Sequence, residues 1–385
     1  MSRTAPDRPE AVISARQSSS IIASTIIGVG VLTLPRGAAE YAKQSGWFSI
    51  LLGALVAMLA VAAITTLSRK FPRRGIDAYG AEILGIGKGR TFGTIASFPL
   101  LLLFVGYWGF STVIVARMFG EVVITTVLTQ TPLEVIISTM LLTAYILTLY
   151  GVEVMARVNE MLLPIIVVPV LLIAVSSLQS TRLYHLFPLR EGVELGAFLQ
   201  GILVSSFAFL GFEVMTVFSA YVQQSDKLLR ANLAGIAIPG AIYVLIVFSG
   251  IAVFGVDELK LLAWPTLELV KVTEVPGLIL ERMESAFLGV WVAAVFTTSG
   301  NLYCATTLLI QNMLGLAGKK SYRIIATVLL PGFYWLSLLP QNIHALFQYQ
   351  RFSGMLGGVV AIVVPTLMLA VAMLRGKGVK GGEPT

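Results

Sequence analysis

An apolar run near the start of the chain contains a segment that does not suit a membrane helix. The segment Gly28-Val29-Gly30-Val31-Leu32-Thr33-Leu34-Pro35 places two glycines and a proline inside an otherwise hydrophobic stretch. A transmembrane helix bonds its backbone internally, so a break within it requires that the freed groups face protein, water or a ligand. Paired glycines also let membrane helices pack closely, so the segment alone is consistent with a packing site or a binding site.

The composition places the whole chain in a bilayer. Of its 385 residues, 56% are hydrophobic and only 12% are charged, which excludes an ordinary soluble domain. We expect no signal peptide, because the first residues are polar and no small-residue cleavage site follows the first apolar run. The single cysteine, Cys304, excludes an intramolecular disulfide and a multi-cysteine metal site.

The distribution of apolar residues predicts ten transmembrane helices, since a spanning helix needs about 20 mainly apolar residues. They lie near residues 13–40, 47–69, 94–124, 132–151, 157–177, 197–219, 232–255, 282–314, 322–340 and 353–374. We therefore expect a single all-α membrane domain over 13–374, an N-terminal tail over 1–12 and a C-terminal tail over 375–385.

The basic residues predict the orientation of this domain. Most of the 27 lysines and arginines fall on inner segments if the N-terminus is inside, so the positive-inside rule places both termini in the cytoplasm. Topology and anionic lipid explain the net charge of +7, and no nucleic-acid partner is required.

A second polar interruption lies half a chain after the first. The segment from Ser205 to Glu213 places small residues, Gly211 and a carboxylate in the centre of another apolar run. Gly211 again suits close packing, but an intramembrane carboxylate is costly. We therefore expect Glu213 to cap the backbone or to have a gating or charge role.

The positions of the two interruptions predict an inverted repeat. Dividing the chain near residue 180 gives two halves of five helices, about 13–178 and 197–374, and the first helix of each half carries the interruption. Halves with an odd number of helices have opposite orientations, and their broken helices meet at the bilayer midplane. Helix N-termini there favour a carboxylate, and unwound carbonyls favour an ammonium or sodium ion, so an amino acid zwitterion suits both.

Two other predicted helices carry polar groups at mid-depth. Tyr107 and Ser111 lie in the helix at 94–124, and Thr297 and Thr298 lie in the helix at 282–314. The threonine hydroxyls either bind a ligand or hard cation or bond to the carbonyls of their own helix. Tyr107 either contributes to a binding site or is an aromatic ring that fills the core or faces lipid. No cluster of nucleophile, base and orienting residue is visible, so we expect no enzymatic activity and no metal centre.

Four segments resemble the B-type membrane subunit of the spore germinant receptor, in the endospore germination permease family of the amino acid–polyamine–organocation (APC) superfamily. They are Gly28 to Arg36, Phe209 to Met215, Trp264-Pro265-Thr266, and Glu281 to Ser285 followed by Trp291 and Thr297-Thr298. The two interruptions are typical of the superfamily, which has the LeuT-like fold. The last two segments are more specific to the germination branch.

The resemblance implies a subunit that senses a nutrient germinant, often an amino acid, in the spore inner membrane. It implies two partners, a larger A-type membrane subunit and a C-type lipoprotein. It also implies a germinant site formed by Gly28, Gly30, Tyr107, Ser111, Leu210, Gly211, Thr297 and Thr298. The body of the fifth predicted helix has no lysine, which argues against a proton-coupled mechanism that uses a lysine in place of sodium.

Two functions are consistent with these features. In the first, ligand binding shifts an alternating-access equilibrium through differential affinity, and partner subunits detect the shift. In the second, the chain is a secondary amino acid transporter coupled to sodium ions or protons. Beyond such a coupling ion we expect no cofactor.

Overall fold

A computed structural model describes residues 12–28, 30–85, 90–187, 194–223, 225–273 and 283–378. The first predicted helix consists of two shorter ones, α1 (Ala15–Ile27) and α2 (Gly30–Ala42). Ser14 caps α1, since its hydroxyl accepts from the Gln17 amide at 3.2 Å while the Gln17 side chain accepts from the Ser14 amide. The expected break is therefore present, but Pro35 lies inside α2 and not at the break.

Among the described residues of the first half, five α-helices follow. They are α3 (Gly46–Lys70), α4 (Ile76–Leu84), α5 (Arg90–Thr126), α6 (Leu133–Leu149) and α7 (Gly151–Ser176). The short helix α4 lies between two of the predicted spanning helices and packs mainly against α5.

The second break is also present. Helix α8 (Leu195–Phe207) is followed by a turn, a 3₁₀ turn over Phe212–Val214 and the short α9 (Met215–Phe218), and the two parts are bent by 52°. Gly211 has a φ of +128°, a backbone conformation that is strained for residues with a side chain. The glycine therefore permits the chain to leave the helix at this point.

Six α-helices follow in the described part of the remaining chain. They are α10 (Leu228–Leu261), α11 (Pro265–Lys271), α12 (Met283–Met313), α13 (Lys319–Ser337), α14 (Ile343–Gly358) and α15 (Val364–Leu374). A single π-helical turn over Val359–Val363 joins α14 to α15.

The chain is an integral membrane protein built of helices. Within the described ranges six segments are long and apolar enough to cross a bilayer, and the bent pair that begins with α8 makes a seventh. The six are Gly30–Lys70, Phe92–Thr126, Gly151–Ser180, Leu228–Leu261, Ser285–Met313 and Ile343–Leu374. Helix α1, with 13 residues, and α6, with 17, are too short to be counted alone. The ten-helix, five-plus-five arrangement remains a prediction.

Helix α1 lies at the centre of the molecule. Ser18 and every residue from Ser20 to Ile27 are buried, and α1 packs against α7, α10 and α12. The backbone groups freed at the first break therefore face protein and not lipid, as a break within the membrane requires.

Candidate functional site

A cavity of about 390 Å³ lies beside both breaks. Helices α1, α2, α5, α8, α12 and α14 contribute to its wall, together with the turn that follows α8. The volume falls within the range of small-molecule sites, about 300–1,000 Å³.

The cavity brings together most of the residues predicted to bind a ligand. Two predicted residues, Gly28 and Thr297, do not line the cavity. The Thr297 hydroxyl donates to the Ala294 carbonyl of its own helix at 2.9 Å. Gly28 faces the Thr298 side chain. Which of these residues touch a ligand stays a prediction. The predicted residues that line the cavity are Gly30, Tyr107, Ser111, Leu210, Gly211 and Thr298.

Carbonyl groups at the first break are bonded by side chains from other helices. The Tyr243 hydroxyl of α10 donates to the Ile26 carbonyl at 2.7 Å, and the Trp291 indole N–H of α12 donates to the Gly28 carbonyl at 3.1 Å. Both donors are buried. The end of α1 is thus capped by the surrounding protein, which its last carbonyls need because they have no helical partner.

The Thr298 hydroxyl makes a second set of contacts with the end of α1. It lies 3.1 Å from the carbonyl oxygens of Ser24 and Thr25, and 3.0 Å from the Ala294 carbonyl of its own helix. Thr298 therefore joins α12 to the last turn of α1.

Thr266 satisfies a carbonyl that a proline leaves free. Pro35 has no N–H to donate to the carbonyl of Val31, four residues earlier in α2. The Thr266 hydroxyl of α11 donates to that carbonyl at 2.6 Å. The sequence resemblance drew attention to the Trp264-Pro265-Thr266 segment, but nothing in the sequence identifies Val31 as its partner.

Glu213 caps the second break. Its Oε2 accepts from the Gly211 amide at 2.7 Å, and the side chain is fully buried. Its Oε1 has no hydrogen-bond partner in the described structure, although the side chains of Tyr107 and Trp108 lie close to the carboxylate. The capping contact is observed, and the gating or charge role of Glu213 stays a prediction.

An asparagine pair joins three helices and contacts Thr25, a residue of the cavity wall. The side-chain amides of Asn159 (α7) and Asn301 (α12) donate to each other at 2.8 and 2.9 Å, and Asn301 also donates to the Thr25 hydroxyl at 2.8 Å. Both asparagines are fully buried. Sequence reasoning missed this network, for which an uncharged amide inside an apolar helix was the available signal.

Charged residues of α2 and α14 line the exposed end of the cavity. The Arg351 guanidinium pairs with Glu40 at 3.1 Å, and the Arg36 guanidinium lies 4.9 Å from the centre of the Phe347 ring. With two arginines and one glutamate, the exposed end of the cavity has a net positive charge. This charge favours the approach of an anionic group.

Known proteins match the chain over nearly its whole length. The family model described as "Spore germination protein" matches residues 12–346. Spore germination protein YndE of Bacillus subtilis is 28% identical over 97% of this chain and 99% of that protein. Spore germination protein A2 of the same organism is 28% identical over 93% of this chain and 95% of that protein. Spore germination protein GerLB of Bacillus cereus is 25% identical over 97% of each chain.

Two solved structures share the fold. Mhp1, a nucleobase-cation-symport-1 family transporter in a closed conformation with bromovinylhydantoin bound, matches 97% of this chain and 82% of its own with a TM-score of 0.65 and 13% identity. MhsT in complex with L-phenylalanine matches 93% and 89% with a TM-score of 0.61 and 14% identity. At these identities the likeness shows the fold alone. Because the family model covers most of the chain, the chain belongs to the spore germination permease family, within the APC-type superfamily that the sequence resembles.

Proposed function

We propose that this chain is the B-type membrane subunit of a spore germinant receptor, and that it binds a small nutrient molecule, an amino acid, beside the two breaks. The observation that carries the proposal is that both breaks, although half a chain apart in sequence, border one cavity. Paired breaks at one central cavity are the arrangement by which inverted-repeat membrane proteins bind small polar molecules.

The cavity offers complementary groups to a zwitterion. The N-terminus of α2 begins at Gly30 on the cavity wall and favours a carboxylate. The Ala208 carbonyl faces Gly30, 3.5 Å from the position of a Cβ at that residue, and is suited to an ammonium group. Ile114, Val115 and Met118 of α5 form an apolar wall for the ligand side chain.

Ligand binding changes the state of the subunit through contacts on both sides of the cavity. The ion pair of Glu40 with Arg351 and the contact of Arg36 with Phe347 join α2 to α14 across its exposed end. A ligand that touches both helices has higher affinity for the state in which they are close, so it shifts the population toward that state. Partner subunits then detect the shift.

The proposal extends to the topology and the surroundings. Five helices in each half, in opposite orientations, place both termini in the cytoplasm, with the chain in the spore inner membrane beside an A-type membrane subunit and a C-type lipoprotein. The two breaks and the family membership support this arrangement. The proposal assigns the chain no chemical reaction and no nucleic-acid partner.

A thermal-shift screen of the purified full chain in detergent tests the ligand. We expect at least one proteinogenic amino acid to raise the melting temperature, because a ligand that binds only the folded state stabilises it by mass action. Ile114→Phe fills the cavity and should reduce this shift. Ile324→Phe, on the exposed face of α13, should not. An equal ligand shift in both variants, or no shift with any amino acid, would contradict the proposal.

The alternative function is secondary transport, which the shared fold of Mhp1 and MhsT favours. Uptake of the stabilising amino acid into liposomes that contain only this chain separates the two functions. We expect binding without accumulation. Accumulation in the absence of partner subunits would establish a transporter.

A further inference from the structure

Transporters of this fold suggest a cation at the first break. In inverted-repeat transporters, unwound backbone carbonyls coordinate the coupling ion, and a helix C-terminus such as that of α1 carries partial negative charge. A sodium ion requires several free oxygen atoms at this position. The contacts of the Ser24, Thr25, Ile26, Gly28 and Val31 carbonyls therefore bear on whether such an ion fits.

The Gly28 carbonyl is occupied by a donor that cannot become a ligand. The indole N–H of Trp291 donates to it at 3.1 Å, and an indole nitrogen donates but does not accept. The Trp291 ring is buried and stacks on Phe119 with the ring centres 5.8 Å apart, so its position is fixed. The carbonyl keeps a second lone pair, but a cation bound to it would lie beside the fixed N–H dipole of the indole, whose positive end disfavours it.

The neighbouring carbonyls are occupied in the same way. Tyr243 donates to Ile26, and its ring packs against Phe209 with the centres 5.4 Å apart. Thr266 donates to Val31 at 2.6 Å.

Other oxygens at the end of α1 also lie near donors, although the buried Ser24 hydroxyl oxygen has no partner in the described structure. The Thr298 hydroxyl lies at 3.1 Å from both the Ser24 and the Thr25 carbonyls, and its one hydrogen is shared between them and the Ala294 carbonyl. The Thr25 hydroxyl accepts from the Asn301 amide at 2.8 Å and donates to the Ile21 carbonyl. Oxygen atoms of the type that a hard cation prefers are grouped here, and several of them already face donor hydrogens of the protein. A sodium ion at this position would have to compete with these donors.

We infer that Trp291 takes the place of a cation at the first break, so that the chain completes its site without Na⁺. The indole N–H supplies a fixed partial positive charge to the Gly28 carbonyl, beside the C-terminal end of α1. The inference rests on the proposed function only in treating the break as part of the ligand site. Trp291 is a positioning residue, because it acts on the backbone of the break and does not line the cavity.

Sodium itself is the probe that tests this inference. The melting temperature of the wild-type full chain in detergent is compared in NaCl and in choline chloride at equal ionic strength, without any organic ligand. We expect equal values. Trp291→Phe keeps an aromatic ring against Phe119 but lacks the N–H. We expect its melting temperature in choline chloride to lie below that of the wild type, and NaCl to restore part of this loss.

Two further variants control for the loss of an indole. Trp335→Phe makes the same change on α13, where the side chain is 70% exposed, and should show no salt difference. Trp291→His keeps a ring N–H, so its melting temperature should differ less between NaCl and choline chloride than that of Trp291→Phe.

Each result has a definite consequence. A wild-type chain that Na⁺ stabilises over choline would overturn the inference, and this comparison decides even if Trp291→Phe does not fold. A Trp291→Phe variant that matches the wild type in both salts, or that is lowered equally in both, would overturn the role of the indole. Because no amino acid is present, failure of the proposed ligand binding leaves this test unaffected.

Discussion

The Thr266 hydroxyl donates to the Val31 carbonyl at 2.6 Å, and Val31 is the residue whose helical partner would be Pro35. The proline removes one backbone donor from α2, and a side chain 235 residues away in sequence replaces it. The contact fixes α11 against the first turns of α2, next to the break.

Thr266→Val should destabilise the protein. Valine has the same shape without the hydroxyl, so the buried Val31 carbonyl loses its partner at a cost of about 1–3 kcal/mol. The measurement is the melting temperature in detergent, which should fall.

Pro35→Ala provides the control for this loss, because alanine restores the N–H that donates to Val31. The cost of Thr266→Val should therefore be smaller in the Pro35→Ala background, with a coupling of about 0.5–3 kcal/mol. Strictly additive effects would show that the two donors do not serve the same carbonyl.

Glu213→Gln and Glu213→Ala separate a capping role from a charge role. Glutamine keeps an oxygen that accepts from the Gly211 amide, so the melting temperature should stay close to that of the wild type. Alanine leaves this buried amide without a partner, and we expect a loss of about 1–3 kcal/mol. If glutamine is as harmful as alanine, the carboxylate charge and not the cap stabilises the break.

The features that the sequence predicts are those that depend on local chemistry. Gly211 marks the second break because its φ of +128° suits glycine, and Glu213 caps that break from only two residues away. The apolar composition likewise predicts a membrane protein of helices. The first break, through Gly30, and the second break, through Gly211, both border the cavity, and whether a ligand binds there stays a prediction.

The partners of the freed carbonyls could not be predicted. Tyr243, Trp291 and Thr266 reach the first break from 217, 263 and 235 residues away, and such pairings depend on how distant helices pack. The sequence therefore predicts free carbonyls that favour a cation, whereas the structure shows carbonyls bonded by the protein. Pro35 suggests a break at its own position for a related reason. It lies inside α2 because Thr266, from another helix, bonds the Val31 carbonyl that the proline leaves free.

Gly28→Ala should destabilise the fold itself. A Cβ at this position would lie 2.8 Å from the Cβ of Thr298 and even closer to its hydroxyl oxygen. Threonine is β-branched and its side chain has little freedom to move away. We expect a loss of about 1–3 kcal/mol, measured as a lower melting temperature.

Two variants test this explanation for Gly28. Gly30→Ala should be tolerated better, because its nearest neighbour would be the Ala208 carbonyl at 3.5 Å. Thr298→Ala should relieve the steric conflict, so the effect of Gly28→Ala should be smaller in that background. An equal effect in both backgrounds would assign the loss to the backbone conformation at Gly28.

Asp77→Asn should raise stability at neutral pH. Asp77 lies in the first turn of α4, outside the six spanning segments, and burial raises its pKa above the ordinary value of 3.8. Because Asp77 binds a proton more readily in the folded state than in the unfolded state, protonation stabilises the fold. This contribution of Asp77 to stability is present below pH 3.8 and is lost as the pH rises through the folded pKa. The charged form of Asp77 is therefore destabilising at pH 7. The partial positive charge at the N-terminus of α4 offsets this cost by about 0.3–1 kcal/mol.

The difference in melting temperature between Asp77→Asn and the wild type, measured as a function of pH, checks this sign. It should be positive at neutral pH and should shrink on acidification, since protonated Asp77 resembles asparagine in charge. Asp226→Asn makes the same change at an exposed position and should give no such trend. A stability gain that does not vary with pH would show that burial of the Asp77 charge is not its cause.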